Sequence, residues 1–210
     1  MKCQHQVVVA FVVFVLTLNH VQGENISLSP STQDIEIFGN LTDKQIPALN
    51  LYHFGQKSYY IGDVFKGNFF KAEQFCRFHG MNLVTINSEE ENDFLEKKIT
   101  ERGDGLNHFW ISGTKLPDVN EWIWFTTGRH ITYFNWNSGE PNNAKKDEYC
   151  IEMRVVKRKV KWNDIDCWQD FNFICEFTWT KDCIKLLKDI QHRSNISNII
   201  DVGVKLPEMN

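Results

Sequence analysis

Three short clusters between Trp136 and Cys175 decide most of what this chain can become. They are Glu140-Pro141-Asn142, Glu148-Tyr149-Cys150 and Trp162-Asn163-Asp164, followed by Cys167 and Cys175. Together they carry five oxygen donors, Glu140, Asn142, Glu148, Asn163 and Asp164, with neither His nor thiolate among them. Hard oxygen sets of this kind suit Ca²⁺, which takes six to eight oxygens. Five side chains, with a bidentate contact or a backbone carbonyl, come near saturation and leave room for two more ligands. Asp147, beside Glu148, is read as surface.

The flanking pattern says how such clusters could meet. Asn137–Asp147 is polar and reads as a long loop. Tyr149–Val155 and Val160–Asp164 read as two strands of a hairpin, and Phe171–Phe177 as a closing strand. Upstream, Ser58–Ile61, Phe109–Ser112, Trp122–Phe125 and Ile131–Phe134 are strand-like. A helix is expected over Asn68–His79, with Ala72, Phe75, Cys76 and His79 on one face and Gly80 as its stop. A second begins at Ser88, where Ser88 and Glu91 form a capping box. Its stripe is Phe94, Leu95 and Ile99. Two early helices and several late short strands give an α+β domain.

The termini read as extensions. Lys2 and the apolar run Val7–Leu18 resemble a secretory signal, so residues 1–23 are expected to be processed. Residues 24–50 read as a linker, 51–179 as the domain and 180–210 as a C-terminal extension in which 183–190 has helical spacing. Secretion fits the cysteines and three sequons at Asn25, Asn40 and Asn195. With Cys3 removed, Cys76, Cys150, Cys167, Cys175 and Cys183 remain. Four domain cysteines allow three pairings, and an odd count leaves one thiol over, a candidate for an intermolecular bridge. A formal charge of -4 excludes a strongly basic nucleic-acid binder, and no stretch suits membrane insertion.

These residues resemble the C-type lectin domain, and especially its mannose type as found in secreted insect lectins. The resemblance rests on Cys76 in the first helix, Phe109-Trp110-Ile111-Ser112-Gly113, Glu140-Pro141-Asn142, Trp162-Asn163-Asp164, Cys167 and Cys175-Glu176-Phe177. It implies two helices flanking short antiparallel sheets with a long calcium-binding loop, and the disulfides Cys76–Cys175 and Cys150–Cys167, which leaves Cys183 for a disulfide-linked homodimer. It implies that Glu140, Asn142, Glu148, Asn163 and Asp164 bind both Ca²⁺ and sugar, with a cis Glu140–Pro141 bond. The family's Glu-Pro-Asn order goes with mannose, fucose and N-acetylglucosamine. Asn143, where some relatives have Asp, departs from an accessory calcium site. The expected function is a secreted lectin binding glycans on glycoproteins or microbial surfaces, in innate immunity. The alternative is a module of the same fold that binds protein without sugar. An enzyme is not expected, since both Glu are better used as metal ligands.

Two features stand beside the site. Trp110, Trp122, Trp124 and Trp162 are expected in the core. Lys157, Arg158, Lys159 and Lys161 form a basic hairpin tip, which Lys145 and Lys146 could extend. A solvated turn explains it simply; contact with anionic glycans is the sharper reading.

Overall fold

The computed structural model describes residues 50–103 and 105–185. The processed segment, the linker, the three sequons and residues 186–210 lie outside them. One compact unit contains Leu51–Trp179.

Chain entry is a hairpin, β1 (Leu51–Phe54) and β2 (Lys57–Gly67). The sequence reading had picked out only Ser58–Ile61 of it. Successive residues of a strand face opposite ways, and β2 uses both faces. Tyr60 stacks on Phe75 of α1 (Phe69–Phe78), while Tyr59 packs against Phe94 of α2 (Glu89–Thr100). The two helices thus flank the sheet. Helix α1 starts at Asn68, whose side chain accepts from the Lys71 N–H, and ends before Gly80 at φ 69. That left-handed conformation is easiest for glycine.

Ser88 caps α2, but its partner acts differently from the expected box. Glu91 accepts from the Asn87 N–H at 2.8 Å and from the Tyr59 hydroxyl at 2.7 Å. Its other attachment is Lys57, 2.8 Å away, whose ammonium also lies 2.8 Å from Glu176. Glu91 is therefore a buried tie between helix and sheet rather than an exposed cap.

The remaining strands are β3 (Asn82–Leu83), β4 (His108–Thr114), β5 (Ile123–Trp124), β6 (Arg129–His130), β7 (Glu148–Val156), β8 (Lys159–Asp166) and β9 (Phe171–Thr178). The order is β1-β2-β9-β4-β5-β6, with β3 on β9, β7 on β4 and β8 on β7. Pairing is antiparallel except between β4 and β9, which run parallel. Ile131–Phe134, expected as a strand, is not one. Its aromatics serve packing instead: Tyr133 and Phe134 stand edge-on to Trp162.

The core runs from Tyr59 and Ile61 through Leu95, Ile99, Phe109 and Ile111 to Ile151, Met153 and Trp162, all buried. Trp110, Trp124 and Trp162 are buried as expected, and Trp122 is half-buried. Gly113 is required where β4 crosses β7, since a Cβ there would stand 2.5 Å from Ile151.

Two disulfides close the frame with the pairing that the resemblance implied. Cys76–Cys175 spans 99 residues and Cys150–Cys167 spans 17. Chain-entropy estimates for such loops are about 4–5 and about 3 kcal/mol. Among the described residues no cysteine is free, and Cys183 is disulfide-bonded, where an odd thiol was expected. Residues 181–185 are helical, and the rest of the helix expected over 183–190 lies outside the described residues.

Candidate functional site

The long loop is held to β8 before it reaches Glu140. The Trp162 N–H donates to the Asn135 carbonyl and the Asn137 N–H to the Trp162 carbonyl, each at 2.8 Å. Trp136 thereby runs parallel to Trp162. The Glu140 N–H then donates to the Asn137 carbonyl at 3.0 Å, and the Glu140–Pro141 peptide bond is cis, as expected.

Beyond Pro141 the backbone wraps round two carboxylates. The N–H groups of Asn142 and Asn143 donate to the two oxygens of Asp164, both at 2.9 Å. The Ala144 N–H donates to Glu148 Oε2 at 2.7 Å. Asn143, at φ 46, closes the wrap by accepting from the Glu148 N–H at 3.1 Å. Register supplies the other half. Ile151 faces Asp164 and Glu152 faces Asn163 across β7 and β8, with an irregularity between Glu148 and Cys150. The Cys150–Cys167 bridge fastens these strands beside the site.

The charges of Asp164 and Glu148 both reach Glu140. Burial, then the charges of Asp164 and Glu148, push the Glu140 carboxyl above its ordinary value, with Arg154 countering. Glu140 Oε2 is buried with no hydrogen-bond partner. A buried oxygen left unpaired among like charges is costly unless a cation completes it. Asn142 is exposed. Asn163 is buried, and its amide nitrogen donates to Glu152 Oε1 at 3.0 Å, so its oxygen is the atom presented. Among the described residues no three acidic, His or Cys side chains form a metal cluster by themselves. Both oxygens of Asp164 and one of Glu148 are turned to backbone N–H groups. The amide oxygens of Asn142 and Asn163 would have to complete a donor set, which is hard-oxygen chemistry throughout.

Three contributors escaped the sequence reading. Glu152, buried, orients Asn163 and is held from behind by His108 Nδ1 at 2.6 Å. Asn143 shapes the loop, where the sequence showed it only as a departure from Asp. Lys115 places its ammonium 3.7 Å from Asp164 Oδ2 and 4.7 Å from the centre of the Trp122 ring. Only the alternation through Cys150 and Glu152 could have flagged Glu152; nothing in the sequence marks Lys115. Asp147 is exposed, as read.

Residues 66–177 match the family described as Lectin C-type domain, more than half of the 210-residue chain. The chain belongs to the C-type lectin family. It is 31% identical over 125 residues to perlucin of Haliotis laevigata, covering 60% of this chain and 79% of that one. It is 31% identical to C-type lectin mosGCTL-7 of Culex quinquefasciatus, with 53% and 69% covered. Among solved structures, the mouse scavenger receptor C-type lectin carbohydrate-recognition domain is 32% identical with a TM-score of 0.54, covering 62% of this chain and 95% of that one. The cow CD23 carbohydrate-recognition domain, solved in the presence of a GlcNAc2Man3 oligosaccharide, is 31% identical at the same TM-score and the same coverage. The α+β fold with its two disulfides is the C-type lectin fold, and the relatives are lectins, a non-enzymatic family.

Proposed function

We propose that this domain is a calcium-dependent lectin of mannose type, with Glu140, Asn142, Glu148, Asn163 and Asp164 as the residues that would hold one Ca²⁺. The observation behind this reading is a buried Glu140 oxygen without a hydrogen-bond partner, on a carboxyl that feels the charges of Asp164 and Glu148. The ion, when bound, supplies a centre at which two neighbouring sugar hydroxyls can replace water. The protein's own side chains then discriminate. Each Glu accepts from a hydroxyl, and each Asn donates to one. Asn163 gives one N–H to Glu152 and keeps the other for this purpose. Glu140 before Asn142 sets the acceptor–donor order that the family associates with mannose, fucose and N-acetylglucosamine.

The setting fits secretion. The signal-like residues 1–23, the sequons at Asn25, Asn40 and Asn195, and the two disulfides all suit an oxidising compartment. Among the described residues no helix is long and apolar enough to cross a membrane. Glycans on glycoproteins or microbial surfaces are the proposed partners, with recognition in innate immunity as the biological use.

Retention on immobilised mannose is the test. The protein binds in calcium, elutes with EDTA or free mannose, and ignores galactose; E140Q with N142D shifts preference towards galactose. Retention unaffected by EDTA and by mannose overturns the reading in favour of a protein-binding module.

A further inference from the structure

Beyond the calcium-centred residues, one face of the site is basic in a patterned way. Register places His108 opposite Arg154 and Arg154 opposite Lys161, a row across β4, β7 and β8. Directly opposite residues of paired strands share a face. Glu152 and Asn163 form the neighbouring row, so the basic row lies two residues, about 7 Å, along the strands from a proposed sugar ligand. Arg154 is near enough for its charge to act on Glu140. The acid of that face, Glu152, is buried and tied to His108 and Asn163.

The basic tip divides into spent and unspent charges. Lys159 is paired with Glu96 at 2.9 Å, and Lys161 donates to Asn135 at 2.6 Å. Arg154, Lys157 and Arg158 are exposed, and none has a side-chain hydrogen bond or ion pair among the described residues. The turn itself carries a local penalty. Lys157 and Arg158 have φ 51 and φ 65, where a two-residue hairpin loop ordinarily has Asn-Gly. Non-glycine residues held there are strained, and such outliers gather at functional positions. A simple solvated turn would be better made with Asn-Gly, which carries no charge.

We propose that Arg154, with Lys157 and Arg158 beyond it, binds a sulfate or phosphate ester on the same glycan whose neutral sugar occupies the primary site. Arg presents a planar fork of donors suited to such oxyanions. The proposal deepens the lectin reading and rests on it for the neutral sugar, while the anion contact needs no metal.

The test uses the full-length protein and two sets of probes. Mannose, mannose 6-sulfate and mannose 6-phosphate are presented on one polyvalent backbone in saturating calcium, and dextran sulfate is offered in EDTA. The esters bind roughly tenfold more tightly than mannose, since each of three exposed cations contributes about two- to threefold. Comparing the two esters shows which oxyanion is preferred. R154Q lowers ester binding about two- to threefold and leaves mannose unchanged. K157N with R158G lowers ester binding while stabilising the turn, so misfolding cannot account for the loss. K71Q, an equal loss of charge on α1, has no effect. Ester binding no better than mannose, or an equal loss in K71Q, overturns the basic row and leaves the calcium reading standing. Absent mannose binding with Arg154-dependent binding of dextran sulfate does the reverse.

Discussion

Two groups of acidic side chains sit in this domain, and they are handled in opposite ways. Glu91 and Glu176 are both buried, but Lys57 stands between them at 2.8 Å from each and also donates to the Thr85 carbonyl. Burial works against the Lys57 charge, yet Glu176 and Glu91 more than offset it and hold its pKa above the ordinary value. Glu140, Glu148 and Asp164 have no such central cation. Lys115 reaches only the edge, 3.7 Å from Asp164, and a Glu140 oxygen has no partner. In the first group Lys57 ion-pairs with both carboxylates, including Glu176 Oε2, which has no hydrogen bond of good geometry, and so joins a helix to a sheet. The second is incomplete where the chain is a loop, which is how a protein keeps a place for something from outside. Same residue types, then, with the internal cation deciding between structure and binding.

The comparison breaks most severely at Lys57. Lys57→Met strands two carboxylates in the interior and is expected to cost about 3–5 kcal/mol in urea unfolding. A loss under 1 kcal/mol would mean that the group is not held together by its lysine. The wild-type sign follows from the raised Lys57 pKa: its contribution is complete below the ordinary lysine value and fades as pH rises through the folded one.

Next in size is the response to calcium. At about a hundredfold excess over its dissociation constant the ion should add roughly 2.7 kcal/mol. Asp164→Asn should abolish this increment, read as the difference between melts in calcium and in EDTA. An increment that survives the substitution would remove Asp164 from the ligand set.

The smallest effect is the most diagnostic. Because its folded pKa is raised, Glu140 opposes folding of the metal-free protein near neutral pH; its contribution is favourable in acid and is lost as pH rises through the folded value. Glu140→Gln should therefore raise stability in EDTA by a few tenths of a kcal/mol, discounted for partial exposure, while removing the calcium increment. In the wild type, acid should also displace the proposed ion. Calcium and EDTA melts should converge as pH falls towards the carboxylate range. Parallel curves would contradict the assignment.

Much of this organisation was legible beforehand because it is local or chemically specific. The Ser88 cap, the α1 stripe through Ala72 and Cys76, and the three motif clusters depend on residues close in sequence. What stayed hidden depends on distant partners. Lys115 matters only because β4 ends beside Asp164, and Glu152 only because register sets it opposite Asn163. Ile131–Phe134 had the composition of a strand, but packing round Trp162 took its aromatics instead. Glu91 reads as a capping-box residue, and its tie to Lys57 and Tyr59 of β2 has no local signal.

Lys115 also fixes how much charge the loop can accept. Glu140, Glu148 and Asp164 carry three negative charges when ionised, and the ammonium offsets one. The remaining two would match a single divalent ion, making the proposed ligand set neutral, while Lys145, Lys146 and Asp147 leave the rest of the loop with one net positive charge. A neutral ligand set neither attracts nor repels charged polymers by itself. Discrimination by charge would then fall to the neighbouring strands, where Arg154 stands.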